Sequence, residues 1–183
     1  MSLRLIPDLT VIRPADGNET TAAWRHALEA SGPTVLVLSR QDLPTLDTGS
    51  TKAGLDHGAY VLSEPDGEPD IVLLATGSEV QLAVAAASTL AGDGISARVV
   101  SFPSWEIFEE QDAAYKRSVL GSEETPRLSI EAGTTIGWER YADASVGVDR
   151  FGASGPGAKV MEQYGFTAEN VVLQAKALLG EST

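Results

Sequence analysis

Apolar positions recur along the chain with two alternating periods, and each change of period marks an element. Leu9-Thr10-Val11-Ile12-Arg13 reads as a short strand that stops at Pro14, which has no N–H to give to a ladder. Asp16-Gly17-Asn18-Glu19 then has the spacing of an acidic cap followed by a Glu three residues on. It predicts a helix with Ala23, Trp24, Ala27 and Leu28 on one face, ended by Gly32-Pro33. Thr34-Val35-Leu36-Val37-Leu38-Ser39 is apolar on both faces, the mark of a buried parallel strand, so this first stretch predicts one β-α-β unit. From residue 41 to about 56 the pattern dissolves into Asp, Pro, Thr, Gly and Ser, the composition of a linker.

Beyond that point strand and helix alternate. Gly58-Ala59-Tyr60-Val61-Leu62 predicts a strand, and Asp70-Ile71-Val72-Leu73-Leu74-Ala75-Thr76 predicts a buried one leading through Gly77 to Ser78. Ser78, with Gln81 three residues on, reads as the cap of a core-facing helix that carries Val80, Ala83, Val84, Ala87, Leu90 and Ala91. Further strands are predicted at 97–101, 127–131 and 145–149, with helical stretches at 104 to about 120, 135–141 and 157–164. Thr167 caps a terminal helix with Val171, Val172, Ala175, Leu178 and Leu179 inward. Alternation of this kind implies an α/β fold of three layers, a mostly parallel sheet with helices on both faces.

Composition narrows what such a fold can do. The 183 residues carry 13 Lys and Arg against 26 Asp and Glu, a formal charge of -13, which excludes general binding to nucleic acid or an anionic membrane, since both require a basic footprint. The absence of Cys excludes disulfides, thiolate metal sites and a Cys nucleophile, and two histidines, His26 and His57, are too few for a His-rich metal site. Both are read as structural or solvent-exposed. Apolar runs are short of a membrane span, and no signal-peptide pattern follows Met1-Ser2-Leu3-Arg4, so a cytoplasmic location is expected.

In open α/β sheets ligands bind beyond the carboxyl ends of strands, which singles out three places. Ser39-Arg40-Gln41 closes an apolar strand with a guanidinium, a forked donor for phosphate or carboxylate in an otherwise acidic chain, or else the partner of one of its many acids. Thr76-Gly77-Ser78-Glu79 is a strand-to-helix turn whose amides can cradle an anion or simply be capped by Ser78. Ile130-Glu131-Ala132-Gly133, followed by Gly137-Trp138-Glu139-Arg140-Tyr141, offers a strand-end carboxyl for acid or base work or for fixing a loop.

These residues also carry a resemblance. Arg13-Pro14-Ala15-Asp16, Leu38-Ser39-Arg40-Gln41-Asp42-Leu43-Pro44, Ala75-Thr76-Gly77-Ser78-Glu79-Val80 and Ser101-Phe102-Pro103-Ser104-Trp105-Glu106 stand in one order with Ile130-Glu131-Ala132-Gly133, Phe151-Gly152-Ala153-Ser154 and the terminal Tyr164-Gly165-Phe166-Thr167-Ala168-Glu169-Asn170. Together they resemble the C-terminal part of transketolases across nearly the whole chain. The resemblance implies residues 1–45 as the tail of a pyrimidine-binding domain, 46–56 as a linker and 57–183 as the C-terminal domain. It implies, for the full enzyme, ketol transfer between sugar phosphates in the pentose phosphate pathway, with thiamine diphosphate and a divalent cation (Mg or Ca) as cofactors and a homodimer as the assembly.

By the same resemblance Arg40 matches the arginine that binds the sugar phosphate, while Asp16, Glu131 and Trp138 match motifs without an assigned role. The family's Gly-Asp-Gly diphosphate and metal motif, its substrate histidines and the Glu that activates thiamine are expected to be absent here and to lie upstream. This chain is then a fragment or one subunit of a split enzyme, truncation being the favoured reading, inactive alone, with no cofactor bound, no catalytic residue of its own and the remainder of the transketolase chain as its partner. Two other readings stay open: a non-catalytic partner-binding module on the same fold, and a nucleotide-binding enzyme using the Gly77-Ser78 turn.

Overall fold

The computed structural model describes residues 1–46 and 54–180. A single turn of 3-10 helix, Ser2–Leu5, precedes β1 (Thr10–Ile12), α1 (Gly17–Glu29) and β2 (Thr34–Leu36). β1 and β2 pair in parallel, Val11 opposite Val35, as a two-stranded sheet. The second sheet comprises β3 (Tyr60–Ser63), β4 (Ile71–Ala75), β5 (Ala97–Ser101), β6 (Arg127–Ile130) and β7 (Ala144–Val146) in the order β3-β5-β4-β6-β7, with only β3 antiparallel. Its helices are α2 (Val80–Gly92), α3 (Trp105–Glu109), α4 (Ala113–Leu120), α5 (Gly157–Gln163) and α6 (Ala168–Leu178).

The period of two along β4 builds three layers. Ile71, Leu73 and Ala75 face one cluster with Val80, Ala83, Ala86 and Leu90 of α2 and Val171 and Ala175 of α6. Val72 and Leu74 face the other, with Phe102, Trp105, Phe108 and Trp138. Four aromatic rings interlock on that side, Phe102 lying 4.8, 5.6 and 4.9 Å from the centroids of Phe108, Trp138 and Tyr141. Thr167 caps α6 as its sequence predicts, its hydroxyl accepting from the Asn170 N–H.

Several sequence expectations are corrected. The stretch 104–120 is two helices, broken at Glu110 and Gln111, because Asp112 caps a new start by accepting from the Tyr115 N–H. α1 is rotated relative to its predicted face: Glu19, Ala22 and Ala23 are buried, while Trp24 and Leu28 are 53% and 81% exposed. The cause is Glu19, whose carboxylate is drawn inward to accept from Ala15 N–H, Tyr60 O–H and Ser101 O–H at 2.7, 2.8 and 2.5 Å. β2 is half-buried rather than buried, since it has a neighbour on one side only.

Ser78 does not cap α2. Gly77–Glu79 instead forms a 3-10 turn, with Gly77 at φ +64°, and the Ser78 hydroxyl donates to Glu79. Both described ends of the stretch read as linker are anchored: Leu46 N–H donates to Asp16 Oδ2 at 2.8 Å, and Leu55 is fully buried with Ile12, Ala22, Ala23 and Ile107.

Candidate functional site

The carboxyl ends of β1 and β2 face those of β4 and β6 across a groove of about 340 Å³. Its first wall is Arg13, Pro14 and the run from Val37 to Gln41; its second is Gly77, Ser78, Glu79, Ala132 and Met161. Backbone hydrogen bonds hold the walls together: Arg13 N–H donates to Pro103 O at 2.9 Å and Gly77 N–H to Arg13 O at 3.1 Å. At Gly77 a Cβ would stand 3.2 Å from Arg13 Nη2 and crowd that side chain, and the left-handed backbone there favours glycine.

Chain order places the switch point of the larger sheet between β4 and β6, because the connection leaving β4 goes to β5 on one side and the chain returns to β6 on the other. This is where such sheets hold ligands. Here the crevice is filled by the chain itself. Arg13 Nη1 lies 2.6 Å from Glu131 Oε1 and Arg13 Nη2 lies 3.0 Å from Glu79 Oε2. Arg4 Nη1 reaches Glu131 Oε2 at 3.0 Å and stacks its guanidinium 4.0 Å over the Trp105 ring. Trp138 Nε1 donates to Glu131 at 2.6 Å and Ala132 N–H to Glu79 at 2.9 Å, so two cations meet two anions with their oxygens taken.

Burial pushes the Glu131 carboxyl up, but Arg4, Arg13 and the Trp138 N–H outweigh it and hold it below the usual carboxylate range. Burial likewise disfavours a charged Arg13, and the adjacent Glu79 and Glu131 carboxylates reverse this and raise its pKa. Glu131 is thus an ionised, fully engaged joint, which removes it from acid–base work; of its two sequence readings, fixing the loop is the one the geometry fits. Glu79 occupies the place an anion would take at the Gly77-Ser78 turn, which disfavours phosphate binding there.

Arg40 differs from the other guanidiniums at the groove. It is exposed, and its side chain makes no ion pair or hydrogen bond among the described residues, so the alternative of a structural pair is not realised there. Asp16 is the buried cap of α1, accepting from Glu19 N–H at 2.8 Å and from Leu46 N–H. His57 stacks on Tyr115 with centroids 4.5 Å apart, and His26 is half-buried beside a polar cleft with Arg4, Asp8, Glu106 and Glu110.

The sequence reading missed Arg4, Arg13 and the inward turn of Glu79. The signal was present: Arg13 ends β1 immediately before Pro14, and the two carboxylates follow the two central strands. A Gly-Asp-Gly triplet does occur, as Gly92-Asp93-Gly94, in a different setting from the cofactor motif. It closes α2, and Asp93 Oδ2 pairs with Lys176 Nζ at 2.9 Å. Among the described residues no group of three or more His, Asp or Glu can hold a metal ion, so the residues present do not fit a diphosphate and metal site. No helix among them is long and apolar enough to cross a membrane.

Residues 58–167 match the family model of the transketolase-like C-terminal domain, and residues 1–45 match that of the transketolase pyrimidine-binding domain. A transketolase of Halalkalibacterium halodurans is 55% identical over 184 residues, covering 97% of this chain and 28% of that protein. The transketolase of Pichia stipitis in complex with sedoheptulose 7-phosphate superposes with a TM-score of 0.92 at 42% identity, over 98% of this chain and 26% of that one. A split-gene transketolase described as an inactive beta4 tetramer superposes at 0.80 with 25% identity, over 99% of this chain and 61% of that one. The chain spans less than a third of the length of its curated relatives. With motifs, fold and sequence in register over nearly all of its residues, the chain belongs to the transketolase family.

Proposed function

We propose that this chain supplies the C-terminal part of a thiamine-diphosphate- and divalent-cation-dependent transketolase that moves a two-carbon ketol unit between sugar phosphates in the pentose phosphate pathway. Residues 1–45 serve as the tail of the pyrimidine-binding domain and 57–183 as the C-terminal domain, joined by 46–56. The remainder of the polypeptide, a homodimeric holoenzyme and a cytoplasmic setting complete the reading. The residues of this chain bind and orient the phosphate end of the substrate.

One observation carries the assignment: Arg40 is an exposed guanidinium without an ionic partner among the described residues, on the rim of a groove at the carboxyl ends of parallel strands. A free fork-shaped donor there suits a phosphate. The description of the split-gene neighbour as an inactive tetramer supports a second element, that the isolated chain has no activity.

In the full-length enzyme Arg40→Ala raises KM for phosphorylated sugars, at a cost of about 2–5 kcal/mol in kcat/KM if the contact is desolvated, and leaves an unphosphorylated donor nearly unaffected. Steady-state kinetics with both substrate types checks this, and equal losses for the two overturn it. The nucleotide-binding alternative finds no comparable free polar group in the Gly77-Ser78 turn, where Glu79 already sits.

A further inference from the structure

We propose that the Arg40 groove continues into an apolar pocket and that the composite site takes an organic phosphate carrying a short aliphatic or aromatic tail. This rests on the reading of Arg40 as a phosphate-binding residue and extends it. The groove and a second hollow of about 320 Å³ share two lining residues, Ala132 and Met161, so the two adjoin there.

The second hollow is lined by Gly133, Val148, Ala153, Val160 and Phe166 and by the Tyr164 ring. No charged side chain enters it. The one hydroxyl at its wall is occupied, Tyr164 O–H donating to Phe151 O at 2.5 Å, with Arg150 stacked 4.4 Å from the same ring. What the pocket presents is therefore mainly apolar surface, with a thioether at its boundary. The groove offers a free guanidinium, and the two carboxylates near it, Glu79 and Glu131, are neutralised by Arg13 and Arg4.

The chemistry at the two ends selects the ligand. An anion alone satisfies Arg40 and leaves the pocket wet; a polyol tail loses water contacts there without finding polar partners. A hydrocarbon or aryl tail on the same phosphate loses no hydrogen bonds on entering and removes apolar surface from water on both sides. Met161, unbranched and at the boundary of the two hollows, can shift to admit such a tail. Hydrocarbon-tailed phosphates are thus ligands for this site and competitors of the sugar phosphates proposed for it.

The chain has two methionines, Met1 and Met161, so methyl-labelled protein gives one reporter at the pocket and one control packed by the Trp105–Trp138 cluster. Phenyl phosphate is expected to shift the Met161 methyl resonance, to show cross-relaxation between its ring protons and that methyl, and to bind about tenfold more tightly than inorganic phosphate. Ala153→Phe, at an exposed loop position, fills the pocket and is expected to abolish that preference while leaving inorganic phosphate binding unchanged. Equal affinities with an unmoved Met161 signal overturn the pocket but leave Arg40 standing. If neither phosphate binds, and Arg40→Ala titrates like the parent, the Arg40 assignment itself fails and the inference falls with it.

Discussion

The two sheets are built from strands of similar sequence but reach different states. Ile71-Val72-Leu73-Leu74-Ala75 is fully buried at every position, whereas Thr34-Val35-Leu36 is half-buried throughout and the following Val37 and Leu38 are 37% and 48% exposed. β4 has a strand on each side and a helix layer on each face; β2 has β1 alone. An apolar run therefore states how much burial a strand can use, and its neighbours decide how much it gets. The smaller sheet is held by what it docks on, since a two-stranded sheet is marginal by itself.

The largest expected effect is on that docking. Arg13→Ala strands Glu79 and one oxygen of Glu131 without their cation and is expected to cost about 3–5 kcal/mol in denaturant unfolding. A cost below about 1 kcal/mol would mean that the two sheets do not depend on this joint. The next is a matched pair in the two sheets: Leu74→Ala, in the sealed core, is expected to cost about 2–5 kcal/mol, and Leu36→Ala, beside the open edge, less than half as much, because its site is already partly wet. Equal losses would show that β2 is as fully supported as β4.

The smallest effect is the subtlest separation, because the two buried carboxylates that tie the sheets together titrate in opposite senses. Glu131 is held below the ordinary value of 4.5, so it contributes stability above that value that is lost as pH falls below it. Glu19 is pushed up, chiefly by burial, with Ser101, the Ala15 N–H and Tyr60 opposing. The folded chain keeps the Glu19 proton to higher pH than the unfolded chain does, so stability falls as pH rises from about 4.5 toward its raised pKa. Against the parent, Glu131→Gln loses its disadvantage in acid, while Glu19→Gln improves as pH rises. Urea midpoints at a series of pH values check both signs, and parallel profiles for the two variants would contradict this assignment.

Much of the larger sheet was legible because its signals are local. The strands at 71–75 and 97–101 and the Thr167 cap depend on neighbours a few residues away. What escaped depends on distance in sequence or on a polar residue facing inward. The apolar pattern assigned Trp24 and Leu28 to the core of α1; the structure rotates the helix because Glu19 finds partners at Tyr60 and Ser101, 41 and 82 residues on. Ser78 has the composition of a cap, but Glu79 beside it is claimed by Arg13, 66 positions away. At the candidate site the sequence identified Arg40 by its place after an apolar strand, and the structure adds that its side chain is free of ionic partners among the described residues.

The joint made by Arg13 also constrains the order in which the chain can assemble. Its guanidinium bonds to residues that follow two central strands, β4 and β6, and these acquire their positions only once the sheet between α2 and α3 exists. The joint around Arg13 is therefore complete only after Arg127–Ile130 has paired with β4. Until then β1 lacks the carboxylates that hold it against the larger sheet.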